Sequence, residues 1–134
     1  MKKIIALYRR AETGKTSTLN LLIELLDKNE KAEENRLTKD RRVSISYGSK
    51  KIAVTTWGDN EVELKENIKY FEKEDCDILV TATRTRGETT EILNDYAKEI
   101  NTEIIWIEKN LSASLEELIN QTQAKDIKAV IDSL

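Results

Sequence analysis

The sequence predicts an α/β domain built on a mostly parallel five-stranded sheet with one antiparallel edge strand. Short apolar β-type runs alternate along the chain with stretches whose apolar residues recur at helical spacing. Two of those runs are joined by a tight turn, which makes one strand pair antiparallel. At 134 residues the chain suits a single domain, 1–134, with one core and without linker, repeat or low-complexity tract.

Lys3-Ile4-Ile5-Ala6-Leu7-Tyr8 reads as a short buried strand, and Thr16 to Lys28 carries Leu19, Leu22, Ile23 and Leu26 on one helical face. That helix is expected to end near Asn29, because Lys28 to Arg36 is a charge-rich run with no apolar face. Arg42-Val43-Ser44-Ile45-Ser46-Tyr47 alternates apolar and polar residues, Gly48-Ser49 signals a turn, and Lys51 to Trp57 is a second β-rich run, so the two form a hairpin. Gly58-Asp59-Asn60 breaks the strand. Asn60, with Glu63 three residues on, caps a helix to about Lys73 whose buried stripe is Leu64, Ile68 and Phe71.

Asp77 to Ala82 is the clearest buried strand; a polar loop, Thr83-Arg84-Thr85-Arg86-Gly87, leads from it to a helix from about Glu88 to Ile100. Glu103 to Ile107 is the fifth strand. Asn110 to Ser114 offers caps, and Leu115, Leu118, Ile119, Ile127, Val130, Ile131 and Leu134 place helical apolar faces along the last segment, with a break expected near Lys125.

Charged residues make up 35% of the chain and the net charge is −3, so no broad basic field exists to hold a nucleic acid, and none is expected as a partner. No apolar run reaches bilayer length and no signal-peptide core follows Met1-Lys2-Lys3, so a cytoplasmic protein without a membrane partner is expected. The single Cys76 cannot form an internal disulfide, and with no histidine the usual zinc clusters and Cys–His or Ser–His catalytic pairs are excluded.

The richest chemistry lies between the first strand and the first helix, in Arg9-Arg10-Ala11-Glu12-Thr13-Gly14-Lys15-Thr16. A tight turn that leaves a strand and opens a helix points backbone N–H groups at a polyphosphate. Lys15, on the surface, would reach the terminal phosphates and the Thr16 hydroxyl would ligate Mg²⁺. The alternative is an ordinary strand-turn-helix with Lys15 solvated. This run resembles the phosphate-binding loop of the P-loop NTPase superfamily, G-x-x-x-x-G-K-[ST], in its second half, with Arg9 standing where the family has its first glycine.

The order of elements resembles the kinase and Ras-like GTPase branch of that superfamily. The resemblance implies a three-layer sandwich with Lys51 to Trp57 lying parallel beside Lys3 to Tyr8. If Asp77 to Ala82 and a further strand separate them instead, the additional-strand ATPase branch is the better reading and Asp59 loses a metal role. The GTPase pattern D-x-x-G is met by Thr55-Thr56-Trp57-Gly58, so the glycine remains while the aspartate is a threonine. Asp59 is the nearby carboxylate, either ordering the water of a Mg²⁺ or capping a helix. The base-reading pattern N-K-x-D is met by Glu108-Lys109-Asn110-Leu111 in its lysine alone, which selects neither adenine nor guanine.

Arg84 and Arg86 leave the carboxyl end of a central strand and are either phosphate clamps or solvated loop residues, with Thr85 capping the next helix through Glu88. Trp57 and Trp106 are read first as core or strand-end residues. Together these readings imply a small nucleoside-triphosphate-binding protein, using ATP or GTP and Mg²⁺, with slow hydrolysis as its reaction. Arg10, Thr13, Gly14, Lys15, Thr16 and Ser17 would bind the nucleotide, Thr16 and Asp59 would hold the metal, and Lys15, Arg84 and Arg86 would act on the transferred phosphate. The alternatives are a non-catalytic loop module acting through a protein partner, a homodimer that completes the site in trans, and a small-molecule kinase.

Overall fold

Five strands form one sheet in the order β2-β3-β4-β1-β5. These are β1 (Lys3–Tyr8), β2 (Arg42–Tyr47), β3 (Lys50–Thr55), β4 (Ile78–Thr83) and β5 (Ile104–Glu108). The helices are α1 (Lys15–Leu26), α2 (Glu61–Lys73), α3 (Glu88–Glu99) and α4 (Glu116–Ser133). The computed structural model describes residues 2–10, 13–27 and 37–134; the charge-rich run 28–36 and the loop positions 11 and 12 lie outside the described residues. β1 pairs in parallel with both β4 and β5, β3 pairs in parallel with β4, and β2 is the antiparallel edge strand, joined to β3 through Gly48-Ser49.

The expected pairing of β3 with β1 does not form. β4 lies between them, with Ile5 opposite Val80 on one side and Val54 opposite the same Val80 on the other. The reason is in the composition of β4, Ile78-Leu79-Val80-Thr81-Ala82-Thr83. All six residues are buried, and a strand that is buried on both faces belongs in the middle of a parallel sheet.

Alternate residues of the strands enter two separate cores. Ile5, Leu7, Ile52, Val54, Ile78 and Val80 pack with Leu19, Leu22, Ile23 and Leu26 of α1 and with Ala124, Ile127 and Ile131 of α4. Ile4, Ala6, Ala53 and Leu79 face the other way, onto Leu64 and Phe71 of α2 and Leu93, Tyr96 and Ala97 of α3. Helices therefore cover both faces of the sheet. Each fully buried leucine or isoleucine contributes about 1.5–3 kcal/mol, so these two layers carry most of the hydrophobic stabilisation.

The caps explain the helix starts. Asn60 Oδ1 accepts from the Glu63 N–H at 2.9 Å, as expected for α2. α3 differs: its N-cap is Gly87, with a φ of 101° and no side-chain cap, so Thr85 does not cap it. α4 runs unbroken past Lys125, because Asn120, Gln123, Ala124, Ile127 and Ile131 continue one buried stripe at helical spacing while Lys125 is exposed on the outer side. Leu115 and Leu118, expected on the apolar face, are exposed. Trp106 is 37% exposed on the edge strand, edge-on to Tyr8 with ring centroids 5.9 Å apart. Trp57, just beyond β3, is half-buried under the Arg42 guanidinium, 4.3 Å from its ring centroid.

Candidate functional site

Because β1, β3, β4 and β5 run the same way, their carboxyl ends deliver four connections to one edge of the sheet. This is the edge where open α/β sheets place ligands. The connection from β1 ends at Gly14, whose φ of 86° is left-handed and favours glycine. A Cβ there would also come within 3.3 Å of Asn120 Oδ1 on α4 and 3.5 Å of the Lys109 side chain. The first helical bond runs from the Thr18 N–H to Gly14 O at 3.0 Å, so the N–H groups of Lys15, Thr16 and Ser17 have no acceptor within the helix.

Lys15 is buried, at 4% exposure, rather than displayed on the surface. Its Nζ donates to Arg9 O at 2.5 Å, Thr83 O at 3.0 Å and Arg10 O at 3.1 Å, and it is paired with Asp59 Oδ1 at 2.8 Å. Burial pushes its pKa below the usual lysine value; the Asp59 carboxylate opposes that shift and the Arg84 charge adds to it. Asp59 arrives there because Gly58 passes directly over the end of β4: a Cβ on Gly58 would sit 2.1 Å from Ala82 O. That contact supplies the reason for the glycine the sequence retains. Asp59 does not cap α2, which Asn60 does, and it follows a strand that β4 alone separates from β1.

Thr16 Oγ1 lies 3.1 Å from Thr56 O and 3.2 Å from Asp40 Oδ1. Asp40 was not singled out by its sequence context, because it sits in a polar run with no motif around it. Among the described residues no group of three or more histidine, cysteine, aspartate or glutamate side chains is placed to hold a metal ion. Mg²⁺ asks for less, usually one or two carboxylates beside substrate phosphates and water, and the Thr16 hydroxyl with Asp40 fits that smaller requirement.

Arg9 leaves the loop: its Nη1 pairs with Glu108 Oε2 at 2.9 Å at the end of β5. Buried Thr13 and exposed Arg10 line an open cavity of about 310 Å³. Its far wall is the β5–α4 connection with Lys109, Asn110 and Ser112, and α4 contributes Glu116 and Asn120. Lys109 is 1% exposed, its ammonium bonded to the carbonyl of Asn110, and burial lowers its pKa. Gln123 fixes this connection by accepting from the Asn110 N–H at 2.8 Å and donating to Glu108 O at 2.7 Å. Asn120 ties α4 to α1, accepting from Thr18 Oγ1 at 3.1 Å. These residues escaped sequence reading, although the spacing of Ala124, Ile127 and Ile131 extends back through Gln123 and Asn120.

Arg84 and Arg86 are both exposed on the β4–α3 connection. Arg84 is held through its backbone, its N–H donating to Thr89 Oγ1 at 3.4 Å and its carbonyl accepting from Thr90 Oγ1 at 3.2 Å. Ser17 is half-buried on the first turn of α1. The structure thus gathers Arg10, Thr13, Gly14, Lys15, Thr16, Asp59 and Arg84 around one loop, and leaves Arg86 on the rim. No protein family model, curated protein or solved structure matches the chain. Among the described residues no helix is long and apolar enough to cross a membrane.

With the Arg9 side chain already engaged by Glu108, Arg9→Gly is expected to leave the phosphate side of the loop intact and free its turn. If the loop holds a nucleotide, titrations at fixed Mg²⁺ should show binding tightened by a few-fold, and the loss of the surface ion pair should cost the fold at most about 1 kcal/mol. Weaker binding in the glycine variant would make Arg9 part of the site.

Proposed function

We propose that the chain is a small P-loop protein that binds a nucleoside triphosphate with Mg²⁺ and hydrolyses it slowly. The strand order, with β4 alone between β1 and β3, departs from the pairing that the kinase–GTPase branch implies. The observation that carries the reading is the convergence of Gly14, Lys15 and Thr16 with the cavity beside them. The N–H groups of residues 15–17 and the Lys15 ammonium suit phosphates, and the cavity has room for the nucleoside against Lys109 and Asn120. Thr16 and Asp40 would hold the metal, whose chemistry is to neutralise charge on the phosphates. Arg84, close enough for its charge to act on Lys15, would stabilise charge developing on a transferred phosphoryl group. No general base is required, because phosphoryl transfer relies on positioning and electrostatics.

Thermal unfolding with ATP or GTP, each with and without Mg²⁺, tests this. A ligand that binds only the folded chain stabilises it by about 2.7 kcal/mol at a hundredfold excess over its Kd. A rise of several degrees with one nucleotide and Mg²⁺ is expected, and phosphate release should follow at a slow rate. Absence of any shift with either nucleotide at millimolar concentration contradicts the proposal. A shift without phosphate release favours the non-catalytic module.

A further inference from the structure

Lys15 carries three N–H protons, and four oxygens already surround its Nζ: the carbonyls of Arg9, Arg10 and Thr83, and the carboxylate of Asp59 at 2.8 Å. Every proton has an acceptor before any anion arrives. Resting on the phosphate-binding reading above, we infer that Asp59 is a built-in competitor for the anion position at Lys15, and that this competition makes the loop select polyphosphates over single phosphate or sulfate ions.

Three of the four acceptors are main-chain carbonyls, two in the loop and one at the end of β4, and cannot leave without moving the backbone. Asp59 is the side chain among them, it carries the charge, and it is 32% exposed. It is therefore the partner that can turn out into water. The backbone that carries it stays in place, because Gly58 is wedged over Ala82 O, so the carboxylate remains tethered next to the lysine at high effective concentration. A single phosphate must replace one charge-assisted bond by another against that tethered rival. A longer polyphosphate gains further contacts at the same time, from the N–H groups of residues 15–17 and from the Arg10 and Arg84 charges, and it displaces the carboxylate where a lone anion does not.

The test is isothermal titration of inorganic phosphate, pyrophosphate and tripolyphosphate into the parent, Asp59→Asn and Asp59→Ala, with a chelator present so that no divalent cation takes the carboxylate. The parent is expected to bind tripolyphosphate and to show no measurable heat with phosphate. Both variants should bind phosphate measurably and pyrophosphate at least tenfold more tightly than the parent, and tripolyphosphate by a smaller factor, so that selectivity narrows. If tripolyphosphate binds the parent but both variants keep its selectivity, or bind all three anions more weakly, the competitor role is overturned while the phosphate site stands. If none of the three anions binds any form, the phosphate-binding reading falls and this inference falls with it.

Discussion

Gly58→Ala is expected to destabilise the domain by roughly 3 kcal/mol, an overpacking effect at the upper end of its usual range, and to lower its Tm by roughly 10 °C. The added Cβ would lie 2.1 Å from Ala82 O, and the obstacle is a main-chain carbonyl in a central strand rather than the flexible end of a side chain. Relief requires the connection from β3 to lift away from β4. That movement carries Asp59 off Lys15, so nucleotide binding should change together with stability. Thermal unfolding by circular dichroism measures the first effect, and a variant that melts with the parent would show that this connection is not seated on β4.

Lys15→Ala is expected to abolish nucleotide-induced stabilisation and, in addition, to cost the unliganded protein about 2 kcal/mol. A surface lysine would give the first effect alone. Here the ammonium ties the loop, the end of β4 and Asp59 together, and its removal leaves acceptors without their donor. The estimate is kept below that for a fully buried ion pair because the Asp59 carboxylate is 32% exposed and recovers water. Unfolding scans of the parent and the variant, with and without nucleotide and Mg²⁺, separate the two effects. Unchanged stability would contradict the bonding of Lys15, and a retained nucleotide shift would contradict its part in binding.

The strands and helices were readable because each rests on local pattern. Alternation gave β2, continuous apolar character gave β4, and the spacing of Leu19, Leu22, Ile23 and Leu26 gave α1. Neighbour order was not readable in the same way, since pairing Val80 with both Ile5 and Val54 is a non-local choice that no window of sequence contains. The loop's identity as a strand-turn-helix with Gly14 at the turn was equally local. Its electrostatics were not, because they depend on what the other connections bring: Asp59 after β3, the Thr83 carbonyl after β4 and Lys109 after β5. Polar residues packed inward on a helix are the other blind spot. Asn120 and Gln123 are buried because their amides satisfy groups on Thr18, Glu108 and Asn110, and an apolar count passes over both.

The contact between Gly14 and Asn120 joins positions 106 residues apart along the chain, counting from 14 to 120. During synthesis the first strand and helix leave the ribosome long before α4 exists, at about 5–20 residues per second. In that interval α1 lacks the helix that covers it, and the turn at Gly14 lacks the side chains of Lys109 and Asn120 that close over it. The loop between β1 and α1, written near the beginning of the chain, is therefore completed only when α4 docks, and a nascent chain interrupted before α4 is made would carry its sequence without its finished surroundings.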